Sequence, residues 1–188
     1  MRDRSVRSLA LAAVLACAAL PAFAADYVQA PGSSLQFAGS YDGEPFSGHF
    51  PGFATTLRFD PAQLGSARLD VTIPIATATT GVADYDSEMR GSAFFDAKRF
   101  PQARYTATTF RALGGNRYAA DGTLSLHGVS KPVTLAFTWT PGTKPVLSGK
   151  ATVKRLQFGV GGGDWADTSL IADDVVVTTK VVFAAKAP

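Results

Sequence analysis

Apolar residues recur at every second position in segment after segment of this chain. In "ARLDVTIPI", Ala67, Leu69, Val71 and Ile73 fall on one face, and Arg68, Asp70 and Thr72 on the other. "PVTLAFTW" sets Val133, Leu135, Phe137 and Trp139 against Thr134, Ala136 and Thr138, and "TTLRF" alternates through Leu57 and Phe59. A β-branched run, "DVVVTTKVVF", lies near the C-terminus. A period of two is what a sheet with one buried face demands. Turn residues separate the runs: "LGGNRY" reads as a hairpin, and "TPGTKP" and Asp60-Pro61 end strands. About eight strands at short, regular spacing are expected, which points to a barrel or a sandwich.

One stretch departs from this period. "ADYDSEMRGSAFFDAKRFP" sets Asp84, Asp86 and Ser87 near a helix start, with Tyr85 and Met89 four apart and Gly91 as a stop. It predicts a short helix followed by an irregular aromatic segment ending at Pro101.

The first 24 residues read differently again. Arg2, Arg4 and Arg7 precede an apolar run from Leu9 to Leu20, then Pro21 and Ala22-Phe23-Ala24. That is the layout of a secretory signal, and the run is shorter than the about 20 apolar residues a membrane span takes. Cleavage is expected after Ala24, leaving one exported domain over residues 25–188. The competing reading makes Cys17 in "VLAC" a lipoprotein anchor, but Leu15 is large where such sites carry a small residue. Cys17 is the only cysteine, so a domain lacking residues 1–24 cannot be stapled by disulfides and must rely on its core. Removing Arg2, Arg4, Arg7 and Asp3 lowers the formal charge from +3 to +1. That leaves no dense basic face, so nucleic acid is not an expected partner.

Catalytic and metal-binding patterns are sparse. His49 and His127 are the two histidines, and no His-x-His or His-x-x-x-His pair exists. There is no Gly-x-Ser-x-Gly elbow. Asp84, Asp86, Glu88 and Asp96 could supply a carboxylate pair, but around a short helix they read as caps and solvated residues. "FGVGGGDWADTS" puts Asp164 where a dinucleotide fingerprint needs its third glycine, so it reads as a Gly-rich loop between strands. Trp165 within it is placed to close over a cavity. His127, in "TLSLHGVSKPVTLAFTW", is expected at a strand end on the face opposite Leu124 and Leu126, a scaffold residue. Gly128 permits the tight turn there, and Pro132 fixes φ where the next strand begins.

Three blocks, "MRGSAFFDAKRFPQARYTATTF", "GTLSLHGVSKPVTLAF" and "RLQFGVGGGDWADTSLIADDV", resemble in order the YceI-like family. The resemblance implies an all-β, eight-stranded antiparallel, lipocalin-like barrel with an elongated apolar tunnel. It implies binding of a long isoprenoid or similar amphiphile, quinones included, in the periplasm, with no required cofactor and no enzymatic activity. One departure stands out. Many relatives carry Arg-Asp-x-His-Leu-Arg at the helix, whereas this chain reads Tyr85-Asp86-Ser87-Glu88-Met89-Arg90.

On this reading the lining candidates are Phe37, Phe50, Met89, Phe94, Phe95, Phe137 and Trp165, with Arg90 as the headgroup contact. Twelve of the 13 phenylalanines follow residue 24, which suits a barrel with an apolar interior. The alternative function is a non-enzymatic periplasmic partner of a quinone-handling membrane cytochrome, with the barrel filled by side chains. A hydrolase or isomerase built on a carboxylate and His127 is the least supported reading.

Overall fold

The computed structural model describes residues 25–186, so the signal-peptide expectation for residues 1–24 and the Cys17 alternative lie outside the described residues. Nine antiparallel strands form one sheet that closes on itself. They are β1 (Ala25–Tyr41), β2 (Glu44–His49), β3 (Ala54–Phe59), β4 (Arg68–Pro74), β5 (Gln102–Gly114), β6 (Arg117–Leu126), β7 (Val129–Thr140), β8 (Val146–Lys154) and β9 (Asp174–Ala185). Among the described residues, one helix, α1 (Ala83–Arg90), and a few short 3₁₀ turns accompany the sheet. β3 through β9 pair in sequence order, and β1 pairs with β9 to close the barrel.

The nine strands make eight staves. β2 and β3 lie along the same edge of β1, with Gln36 opposite His49 and Val28 opposite Thr56. "FPGF" at residues 50–53 interrupts what is otherwise one stave, because Pro51 has no N–H to offer the ladder. The chain ends bordering the gap still bond to β1: Phe50 N–H donates to Leu35 O at 3.0 Å, and Gln29 Nε2 donates to Phe53 O at 3.0 Å. Among the described residues the outer edge of β2 takes no strand. It exchanges two backbone bonds with Thr79 instead, at 2.9 and 3.0 Å, and so draws the segment before α1 against the wall.

β1 spans 17 residues because a bulge lets it follow the curvature. Its register against β9 shifts between Ala30 and Ser34, around Pro31-Gly32. Ser33 Oγ fills the gap left in the ladder, donating to Ala30 O at 2.7 Å and accepting from Val182 N–H at 3.0 Å.

The interior divides by depth. At the end where β3 finishes and β4 begins, Phe59 is fully buried at the centre of a ring cluster. Its centroid lies 5.1 Å from Tyr118, 5.1 Å from Trp139, 5.7 Å from Phe137 and 6.0 Å from Phe110, mostly edge-to-face. Tyr27 and Phe183 extend the cluster through Trp139 at 5.5 and 6.0 Å. Tilted and T-shaped pairs at these spacings are the favoured aromatic geometry. This plug seals one end.

Charge pairs decorate the outside of the wall. Arg58–Asp26, Arg104–Asp70 and Arg111–Asp121 each join neighbouring strands on the solvent face. Arg111, together with the Thr134 hydroxyl, holds Asp121 down to about 2.

Truncating the plug removes the packing that most of its rings share. Phe59→Ala is expected to lower unfolding stability by about 3–5 kcal/mol, read from the urea midpoint. A loss below about 1 kcal/mol would show that the plug is not a keystone.

Candidate ligand-binding cavity

Above the plug the barrel is hollow. A cavity of about 530 Å³ opens toward α1 and the β8–β9 loop. Its wall is the inward face of the strands: Leu69, Val71 and Ile73 of β4, Leu124 and Leu126 of β6, Val133 and Leu135 of β7, and Val175, Val177 and Val181 of β9. The alternation read from the sequence becomes one continuous apolar surface. Tyr105 projects from β5 with its hydroxyl donating to Ala120 O at 2.8 Å, Val133 O lying 3.0 Å away. Burial pushes its phenol up to about 12, so it stays a neutral donor.

The structure brings most of the candidate lining residues together. Phe37, Phe50, Met89, Phe94, Phe95 and Trp165 all border the cavity. Phe37 packs on Phe50 at 5.2 Å, and Phe50 on Phe95 at 6.2 Å, along one side. Phe94 and Trp165 stack at 5.5 Å at the mouth. Phe137 does not border it. It shares a face with Val133 and Leu135, but a strand rises about 3.3 Å per residue, so moving along β7 carries the face from the cavity into the plug. There Phe137 packs on Tyr118 at 5.6 Å.

Arg90 is not at the cavity surface either. Its Nε and Nη2 donate to Ala78 O at 3.2 and 2.7 Å, and Asp86 lies 3.7 Å away. Asp86 in turn accepts from Thr79 Oγ1 at 2.5 Å, Thr80 N–H at 2.6 Å and Thr80 Oγ1 at 2.7 Å. These two residues form a latch. They bind α1 to residues 78–80, which themselves bridge to the free edge of β2. Tyr85 and Glu88, where this chain departs from the common helix pattern, face the cavity mouth instead.

A buried charge also reaches the cavity, Arg155, which the sequence pattern did not single out. It is buried, and all five of its N–H groups meet main-chain carbonyls. Nε donates to Ala172 O at 3.1 Å, Nη1 to Val160 O at 3.1 Å and Gly161 O at 2.5 Å, and Nη2 to Trp165 O and Ile171 O at 2.8 Å each. One guanidinium therefore gathers the loop from 156 to 173 and places Trp165. Burial pushes it below the ordinary arginine value, partly offset by Asp173. Gly161 makes the close approach workable: its φ is +64°, and a Cβ there would sit 2.7 Å from Arg155 Nη1 and 2.9 Å from Phe94. A signal for Arg155 exists in the sequence. Leu147, Ala151 and Val153 set an inward parity on β8, and Arg155 continues it as the first charge in the series.

The other residues considered for chemistry are scaffold in geometry. His127 and Gly128 both have positive φ, 52° and 75°, the signature of a tight two-residue hairpin between β6 and β7. His127 Nδ1–H donates to Phe158 O at 3.0 Å, and its ring meets Phe100 at 4.9 Å. It thus ties the hairpin to the loop that Arg155 organises. Among the described residues no group of three or more His, Cys, Asp or Glu could hold a metal ion.

Hydrogen bonds from Thr79 and Thr80 hold the Asp86 carboxyl down to about 2 from the ordinary 3.8. A carboxylate depressed in the folded state stabilises fully above its unfolded value and loses that contribution as pH falls through the folded one. Asp86→Asn should therefore flatten the part of the acid-stability curve between about pH 4 and pH 2 that the latch contributes, measured as Tm against pH in both proteins. Arg155→Lys leaves three donors for five carbonyls. Limited proteolysis should then cut within residues 156–173 at least about tenfold faster, since unsatisfied buried carbonyls cost about 1–3 kcal/mol each; an unchanged rate would deny Arg155 its organising role.

A UPF0312 protein of Pseudomonas savastanoi pv. phaseolicola is 28% identical over 173 residues, covering 86% of this chain and 90% of the relative. Among solved structures, BcnA of Burkholderia cenocepacia is 32% identical and superposes with a TM-score of 0.77 over 80% of this chain and 95% of BcnA. A Campylobacter jejuni YCEI protein is 26% identical, with a TM-score of 0.65 over 75% of this chain and 85% of that protein. A polyisoprenoid binding domain from Saccharophagus degradans, 18% identical, shares the fold, with a TM-score of 0.66 over 86% of this chain and 99% of the domain. The YceI-like domain pattern matches residues 27–183, from the first strand to the last, and the chain belongs to the YceI-like family.

Proposed function

We propose that the protein binds a long-chain isoprenoid or related amphiphilic lipid, of quinone or polyprenyl type, inside the barrel. It acts as a periplasmic carrier without catalysis. The observation that carries this reading is the blind apolar cavity of about 530 Å³ above the aromatic plug. An apolar tail enters through the mouth and ends against the plug. Burying a few hundred Å² of tail at about 25 cal/mol per Å² gives on the order of 10 kcal/mol before ordering costs. Affinity then needs few polar contacts, as the sparse polar lining allows. The name of the Saccharophagus degradans domain, a polyisoprenoid binding domain of the same fold, supports this class of ligand. The basic, apolar and small-residue layout of residues 1–24 supports export to the periplasm.

The alternative, a partner of a quinone-handling membrane cytochrome with no lipid of its own, is less favoured. A filled barrel would suit it, and this one is hollow.

Native mass spectrometry on protein purified without delipidation tests the reading. A co-purifying lipid, or uptake of added polyprenol or ubiquinone, is expected; neither adduct appearing would sink it. Ala151 borders the cavity with its methyl group. Ala151→Trp should weaken lipid uptake at least about tenfold, with circular dichroism unchanged, by filling the space the tail occupies.

A further inference from the structure

The rim of the cavity carries unequal charge. Two charged side chains border it, Glu88 and Arg155. All five N–H groups of Arg155 are engaged by main-chain carbonyls, so it has no donor left for a ligand. Arg90, the nearest other cation on α1, is held by Ala78 O and Asp86. Lys154, which precedes Arg155, pairs with Asp173 and Asp174. Glu88 is different. It is exposed on α1, and among the described residues its carboxylate has neither an ion pair nor a hydrogen bond. Two further polar groups without described partners flank the mouth, the phenols of Tyr41 and Tyr85, at 43% and 59% exposure. Among the described residues that line the cavity, the mouth therefore presents one free anion and two free hydroxyls, and no cation with a donor to spare.

We infer that Glu88, with Tyr41 and Tyr85, selects lipids with an uncharged, hydroxyl-bearing head and discriminates against phosphorylated ones. This rests on the lipid-binding reading above and names its ligand class. A head seated at the mouth meets a carboxylate that accepts from a hydroxyl donor and repels a phosphate. Among the described residues lining the cavity, no cation is free to neutralise the phosphate by a direct contact. Phosphate recognition in proteins draws on free Arg, Lys or backbone N–H donors. Here the one buried guanidinium is turned toward the loop that it organises. The tyrosine hydroxyls supply donor and acceptor capacity at no charge.

The test is a paired titration at low ionic strength, using a polyprenol and its monophosphate of the same chain length, followed by quenching of tryptophan fluorescence. The wild-type protein is expected to bind the alcohol roughly tenfold more tightly, the effect of a like charge at a partly exposed site. Raising salt to about 0.5 M should shrink that ratio by screening. Glu88→Gln should narrow it, and Glu88→Arg should invert it, with part of the change coming from weaker alcohol binding as the carboxylate acceptor is lost. Equal affinities in the wild type, tighter binding of the phosphate, or a ratio unmoved by Glu88→Arg would overturn the inference while leaving the lipid-binding reading intact. Failure of both lipids to bind would overturn that reading and this one together.

Discussion

A barrel without a disulfide can leave part of its interior empty only if the rest is packed tightly enough to hold the closed sheet. Here the packing is the ring cluster around Phe59, which Tyr118, Phe137 and Trp139 meet within 5.7 Å. A void loses the dispersion contacts that its lining would otherwise make. The aromatic plug makes up for this through large rings in favoured geometry, and the closed ladder leaves little unpaired strand edge. The plug also sets the depth of the cavity. The same residues that stabilise the fold thus define how far a ligand can reach.

The second constraint lies at the open end, where irregular chain must be held without a sheet. Two side chains do most of this. Asp86 gathers Thr79 and Thr80 from the segment before α1, and Arg155 gathers five carbonyls of the β8–β9 loop. Each replaces missing ladder bonds with side-chain bonds to the main chain. Neither is free to recognise a ligand, and that leaves the rim residues Tyr85 and Glu88 as the positions where α1 can vary without loosening the fold.

The inward faces of the strands were legible because period-two alternation states directly which residues share a face. Leu69, Val71, Ile73, Leu124, Leu126, Val133 and Leu135 all line the cavity from the faces assigned to them. The helix and its stop at Gly91 were legible through the break in that period. Depth was not. Alternation gives direction but not height along the barrel, so Phe137 was grouped with residues two and four positions away that sit in a different layer. Charge roles were not legible either. Arg90 stands on the helix next to lining residues yet points at Ala78 O, while Arg155 hides in a loop whose carbonyls converge only in three dimensions. The split of one stave into β2 and β3 was also silent, because "FPGF" reads as an ordinary turn until both segments are seen on one edge of β1.

The pairing of β1 with β9 bears on how the molecule assembles. Tyr27 lies opposite Ala185, and Lys186 N–H donates to Asp26 O at 2.8 Å, so the two ends of the described chain meet along one seam. Every other stave joins a neighbour close in sequence and can form as a meander while the chain is still incomplete. The seam alone requires the whole length, and loop-closure entropy makes such a contact slow to form. Until it forms, β1 and β9 each expose an unpaired edge, so the final strand acts as the fastener that turns a curved, adhesive sheet into a closed vessel.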